Sequence, residues 1–182
     1  THGPAAELAE TLVKRAPKPL KRVFYSDNGS TAVEIAVKMA YQFHRLNGRN
    51  DRNLFISLQN AYHGDTIGSV SVGGIDLFHS KFKKLLFKTV QTPSPYCYRC
   101  PFRKKTRLFP GPAKNFREHC RNTGCGGECL KEAEKVFKKH SKNTAAAIIE
   151  PMVQGAAGMI TFPPGFLKAF AGLCKKFNIL LI

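Results

Sequence analysis

No apolar run in this chain approaches the ~20 residues that a membrane-crossing helix needs, so nothing in its 182 residues reads as a transmembrane segment. The opening Thr1-His2-Gly3-Pro4 has neither the charged lead nor the apolar stretch of a secretory signal. No internal repeat is visible, which excludes a solenoid or array. Acids are scarce: 12 Asp and Glu stand against 29 Lys and Arg, for a net charge of +17. No helix-turn-helix pattern or aromatic-rich binding signature accompanies the basic residues, so a nucleic-acid partner is not expected. A disulfide-stapled secreted scaffold is smaller and poorer in core than a chain with 43% hydrophobic residues. A reduced, cytoplasmic protein without a membrane partner is the expectation.

What is present fits one α/β domain with a real core. Ala5, Leu8, Ala9, Leu12 and Val13 recur at helical spacing, and Pro17 and Pro19 end that run. Val23-Phe24-Tyr25 reads as a short strand, followed by the turn residues Ser26-Asp27-Asn28-Gly29. Residues 30–46 form the clearest helix, with Val33, Ala36, Val37, Ala40 and Phe43 as its apolar stripe and Glu34 and Lys38 on the other face. Leu54 to Leu58 is a buried strand, and Leu85-Leu86-Phe87 is a further candidate. Residues 92–127 show little periodicity and read as a basic, cysteine-rich loop or insertion. A helix at about 128–140 turns Leu130, Ala133, Val136 and Phe137 inward. Ala145 to Ile149 is a strand ending in Glu150-Pro151. Phe166, Leu167, Phe170, Leu173 and Phe177 mark another helix, and residues 179–182 a strand with no turn after it, the pattern of a fragment.

Alternating strands and helices predict a mostly parallel sheet with flanking helices. In such sheets ligands sit beyond the carboxyl ends of the strands, so three loops are candidates: 26–30, 59–66 and 150–159. In the first, Gly29 allows a tight turn and Ser30 stands at a helix start. Free N–H groups there suit a phosphate, or the polar residues simply cap the helix. In the second, Tyr62 offers a flat face and a phenol, His63 can exchange protons near neutral pH, and Asp65 can cap the next helix or bind a cation. In the third, Glu150 ends an apolar strand, where a carboxylate needs a partner, and Gly155 and Gly158 permit close approach.

The stretches VFYSDNGSTAVEIAVKMA (23–40), NAYHGDTIGSVSVGG (60–74) and AAIIEPMVQGAAGM (146–159), with the Thr-His start and GFLKAF followed by LLI, resemble the class III aminotransferases of the type I pyridoxal-phosphate fold. SDNGSTAVEIAVKMA, PSPYCYRCPF and EPMVQGAAGM are most similar to the branch that aminates 8-amino-7-oxononanoate in biotin biosynthesis. The resemblance implies that residues 1–182 are part of the cofactor-binding major domain. It implies pyridoxal 5'-phosphate held by Gly29, Ser30, Tyr62, His63 and Glu150, with Tyr62 and Asp65 toward the substrate. It also implies a homodimer, a keto acid acceptor, and adenosylmethionine or lysine as amino donor. The Schiff-base lysine and the aspartate that pairs with the pyridine nitrogen are expected beyond residue 182, so no catalytic residue is assigned and the chain alone is expected to be inactive. An ornithine or ω-amino acid transaminase is the alternative within the class.

Cysteines 97, 100, 120, 125 and 129 cluster in sequence, and Cys174 lies in a helix. Cys97-x-x-Cys100 and Cys125-x-x-x-Cys129 are compatible with a structural zinc, with free thiols, or with an oxidisable pair. The resemblance supports no catalytic metal. Residues 81–121 carry twelve Lys or Arg and one acid, Glu118. They read as a solvated basic insertion or, with a zinc, as a nucleic-acid-binding module.

Overall fold

A computed structural model describes residues 2–102 and 111–182. Residues 103–110, part of the basic segment, lie outside the described residues. In chain order the elements are α1 (Gly3–Arg15), α2 (Gly29–Leu46), β1 (Leu54–Leu58), α3 (Ile67–Ser71), α4 (Asp76–His79), a 3₁₀ turn (Ser80–Leu85), β2 (Thr89–Thr92), α5 (Phe116–Thr123), α6 (Glu128–His140), β3 (Thr144–Ala147), β4 (Val153–Gln154), β5 (Ile160–Thr161), α7 (Phe166–Lys176) and β6 (Leu180–Leu181). Four strands form one sheet in the order β2-β1-β3-β6, every neighbour parallel. Strands β4 and β5 make a separate antiparallel hairpin. The expected α/β architecture is therefore the observed one.

The sheet is covered on both faces, as parallel sheets are. Ile56, Leu58 and Ala147 face one layer with Cys129, Ala133 and Phe137 of α6 and Phe166, Phe170 and Cys174 of α7. Phe55 and Ala146, one position away on the same strands, face the other layer with Val37 and Ala40 of α2. Phe137, Phe166 and Phe170 are fully buried, each worth about 1.5–3 kcal/mol of hydrophobic stabilisation. Phe137 meets Phe170 edge to face, with centroids 5.3 Å apart.

Several local expectations fail. Val23-Phe24-Tyr25 is not a strand. It pairs with no neighbour, Phe24 is 69% exposed, and the Tyr25 phenol donates to the Ala5 carbonyl at 2.6 Å. Leu85-Leu86-Phe87 is not a strand either: the 3₁₀ turn ends at Leu85, and pairing with β1 begins at Thr89. Phe43 leaves the stripe of α2, and His44 takes its place. Position 44 continues the 37, 40, 44 spacing, and the His44 Nε2 lies 2.9 Å from the Ala145 carbonyl, which offsets burial of the ring. Glu34 turns inward, to Thr66.

The segment read as a loop contains α5. The Asn115 side chain caps it by accepting from the Glu118 N–H at 2.9 Å, and Gly124 ends it in the left-handed conformation at φ +66°. That Asn-x-x-Glu start and glycine stop were the readable signal. Residues 150–159 include β4. Among the described residues no helix is long and apolar enough to cross a membrane.

Candidate functional site

A cavity of about 720 Å³ opens at the carboxyl edge of the sheet, and Gly29, Ser30, Tyr62, His63, Asp65 and Glu150 all line it. Three elements bring them there. Helix α2 presents its N-terminus, the segment after β1 carries residues 62–65, and the segment after β3 carries Glu150.

At the start of α2, Asn28 is the cap rather than Ser30. Its side chain accepts from the Thr31 N–H at 3.0 Å, and the Thr31 hydroxyl accepts from the Asn28 N–H at 3.2 Å, a reciprocal capping box. Capping thus leaves the N–H groups of Gly29 and Ser30 without an acceptor among the described residues. The first turn of α2 holds no acid, so the positive end of the helix is left for an anion. Asp27, just outside, is engaged by the Thr31 hydroxyl at 2.8 Å, which holds its carboxyl below the usual range. Gly29 does not make the expected tight turn. It sits in helix, and a Cβ there would meet no atom within 4 Å, so its contribution is open space at the cavity wall.

The Ser30 hydroxyl accepts from the Asp65 N–H at 3.2 Å and keeps its own proton to donate. This contact depends on Gly64, which the sequence reading passed over: its φ is +121°, and a Cβ would lie 2.2 Å from Ser30 Oγ. The Tyr62 phenol donates to Asp65 Oδ2 at 2.6 Å. That bond raises the phenol above its ordinary pKa, since the proton is held between two oxygens. Asp65 does not cap α3; the cap position is Thr66.

His63 differs from expectation. Burial pushes its imidazole down to about 4, so it is neutral at pH 7 and does not exchange protons there. Its Nε2 is buried and has no hydrogen-bond partner among the described residues.

Glu150 joins two segments. Oε1 accepts from the Tyr62 N–H and Oε2 from the Gly155 N–H, each at 3.0 Å. Gln154 was not singled out in the sequence, yet it is fully buried. Its amide nitrogen donates to the Gln59 carbonyl at 2.9 Å, and its carbonyl accepts from the Ser94 hydroxyl. The hairpin is thereby tied to the ends of β1 and β2. A glutamine inside a Gly-rich loop carries no local sign of such burial.

None of the six cysteines is in a disulfide. Cys97 Sγ lies 3.5 Å from His119 Nε2, and the Cys125 thiol donates to Glu128 at 3.3 Å. Burial pushes Cys120 up to about 12 and raises Cys129, so both are protonated thiols in this structure. Among the described residues no group of three or more His, Cys, Asp or Glu stands where it could hold a metal ion.

The site therefore combines free N–H donors at a helix end, a hydroxyl, an aromatic wall, a neutral imidazole and a braced carboxylate. Such a set can bind an anionic group at one end and a flat ring beside it. The family model of the aminotransferases of class III matches residues 1–182. The adenosylmethionine-8-amino-7-oxononanoate aminotransferase of Geobacter sulfurreducens is 52% identical over 182 residues, covering all of this chain and 37% of that protein. Its counterpart in Methanocaldococcus jannaschii is 42% identical over 181 residues, covering 98% of this chain and 37% of that protein. The crystal structure of the M. jannaschii enzyme aligns with a TM-score of 0.80 at 37% identity, over the whole chain and 35% of the other. An amine transaminase from an uncultivated Pseudomonas species, in its pyridoxal-phosphate-bound form, aligns with a TM-score of 0.81 at 33% identity, over the whole chain and 38% of the other. This chain thus spans little more than a third of the length of the relatives it matches, and it belongs to the class III aminotransferase family.

Proposed function

We propose that the protein carrying this chain is a pyridoxal-phosphate-dependent transaminase that transfers an amino group to 8-amino-7-oxononanoate in biotin biosynthesis. The observation that carries the reading is the convergence of Gly29, Ser30, Tyr62 and Glu150, far apart in sequence, on one cavity. Identity of 52% to a relative of that name supports the choice of substrate.

The residues present fit the cofactor. The Gly29 and Ser30 N–H groups and the Ser30 hydroxyl would hold the phosphate, with the space left at Gly29 open to its approach. Tyr62 would offer its aromatic face to the ring, and the His63 Nε2 would be available to it. When bound, pyridoxal phosphate supplies an electron sink for the substrate's reacting carbon. The chain's own residues do the rest of the positioning. Glu150 fixes the Tyr62 backbone, and Asp65 fixes the Tyr62 phenol and offers a carboxylate to the substrate amine. The low basicity of His63 keeps its imidazole neutral in the cavity. On this reading the lysine that carries the cofactor is supplied from outside residues 1–182.

A cytoplasmic homodimer belongs to the same reading. No residue of α1 is buried, and Leu8 and Leu12 are 50% and 43% exposed, which supports a contact with another part of the protein or a second subunit. Residues 92–127 are, in this proposal, an insertion in the cofactor-binding domain.

The test uses the full-length protein. It is expected to bind one pyridoxal phosphate per chain, followed by absorbance, and to aminate 8-amino-7-oxononanoate with adenosylmethionine or lysine as donor. Absence of cofactor binding overturns the reading. Binding with turnover only of ornithine or ω-amino acids moves it to another member of the family, a choice that the alignment with the Pseudomonas amine transaminase keeps in view.

A further inference from the structure

We propose that Glu34 is a positioning residue for the cofactor, locking the 62–66 segment to the phosphate-binding end of α2; this rests on the reading of the cavity given above. Glu34 stands one helical turn after Ser30 on α2, so the two side chains lie on the same side of the helix. Its Oε2 accepts from the Thr66 hydroxyl at 2.7 Å.

That bond is made at a local cost. Thr66 occupies the N-cap of α3, where a threonine hydroxyl ordinarily accepts from the helix's own N–H groups. Here it makes no such bond, and α3 has no side-chain cap. The hydroxyl serves a tertiary contact across 32 positions instead.

Two further contacts set the same junction. The Ser69 hydroxyl, 3.0 Å from that of Thr66, donates to the Ser30 carbonyl at 2.9 Å. The Asp65 N–H, next in chain to Thr66, donates to the Ser30 hydroxyl. Gly68 makes room for the carboxylate, since a Cβ there would lie 2.4 Å from Glu34 Oε2. With Thr66 held, Asp65 stays against Ser30, and Tyr62 stays bonded to Asp65. With it released, the Ser30 hydroxyl and the Tyr62 ring lose their fixed separation. Glu34 itself does not line the cavity.

The experiment is a set of variants in the full-length protein: E34A, E34Q, T66V and the E34A/T66V pair. Pyridoxal phosphate affinity is titrated on the cofactor-free protein, and amide exchange at Asp65 is followed in the same samples. E34A is expected to weaken binding about tenfold, as for loss of a charge-assisted hydrogen bond, and to speed exchange at Asp65. E34Q keeps an acceptor and is expected to stay within about threefold of the parent. T66V is expected to match E34A, and the pair to be no worse than either alone, because both remove one bond. If E34A does not fold, T66V against E34Q decides. T66V and E34A variants that both bind the cofactor as tightly as the parent overturn the positioning role alone. Failure of rescue by E34Q with normal exchange at Asp65 also overturns it, by pointing to charge rather than position. A parent that binds no cofactor overturns the reading of the cavity itself, and the positioning role with it.

Discussion

The carboxylate of Glu150, at the end of one strand, accepts the backbone N–H of Tyr62, 88 positions earlier, at 3.0 Å. Its other oxygen accepts the Gly155 N–H. The side chain therefore works as a two-ended acceptor, and an amide cannot replace it. In E150Q one of the two N–H groups faces an NH₂ donor and loses its partner. The expected cost is about 1–3 kcal/mol for an orphaned part-buried N–H. Amide exchange in the full-length, cofactor-free protein should speed at Tyr62 or Gly155. Unchanged exchange at both would show that Glu150 does not brace these segments.

Two glycines of the cavity should respond in opposite ways. Gly64 combines φ +121° with a Cβ position 2.2 Å from Ser30 Oγ. G64A is expected to destabilise by about 1–3 kcal/mol and to weaken cofactor binding as well. Gly29 is helical with nothing near a Cβ. G29A should stabilise the cofactor-free protein slightly, by up to about 1 kcal/mol, yet weaken phosphate-ligand binding by filling the approach. Thermal midpoints and cofactor titrations on the same preparations separate the two. Tight binding by G29A would count against a phosphate at that wall.

His63 supplies a pH signature. Its folded pKa of about 4 lies below the ordinary histidine value. The unfolded chain therefore binds the proton first as pH falls, and stability drops with it. The contribution is complete above about pH 6.5 and is lost between about 6.5 and 4, amounting to roughly 3 kcal/mol. The cofactor-free parent should lose stability relative to H63F across that window and run parallel to it above pH 7. Parallel curves from pH 7 to 4 would mean that the imidazole is solvated in the folded state.

The buried thiols should resist modification. Burial pushes Cys120 and Cys174 up to about 12 and raises Cys129 further, so almost no thiolate is present at pH 8. Alkylation of the native protein at pH 8, read by peptide mass spectrometry, should spare these three positions until the protein is denatured. Rapid labelling of Cys174 would contradict its burial against the sheet.

The main helices and strands β1, β3 and β6 were legible because their signals are local. The 33, 37, 40 spacing of α2 and the phenylalanines of α7 repeat at the helical period, and β1 is a short run buried throughout. Strand β2 was misplaced by about four residues, because Leu85 to Phe87 is as apolar as a strand. Only pairing with β1 selects Thr89 to Thr92.

The amino-acid sequence by itself determined the alternation of helix and strand, the family, and the three segments that line the cavity. Tertiary structure alone decided how those segments act. It turned Glu34 inward to Thr66, buried His63 until it became neutral, and gave Glu150 and Gln154 their backbone partners. Each of those outcomes depends on a contact or a burial between residues distant in the chain. The physical reason is that spacing within one segment reports which face is apolar, while charge state and hydrogen-bond partners depend on what a second segment places opposite it.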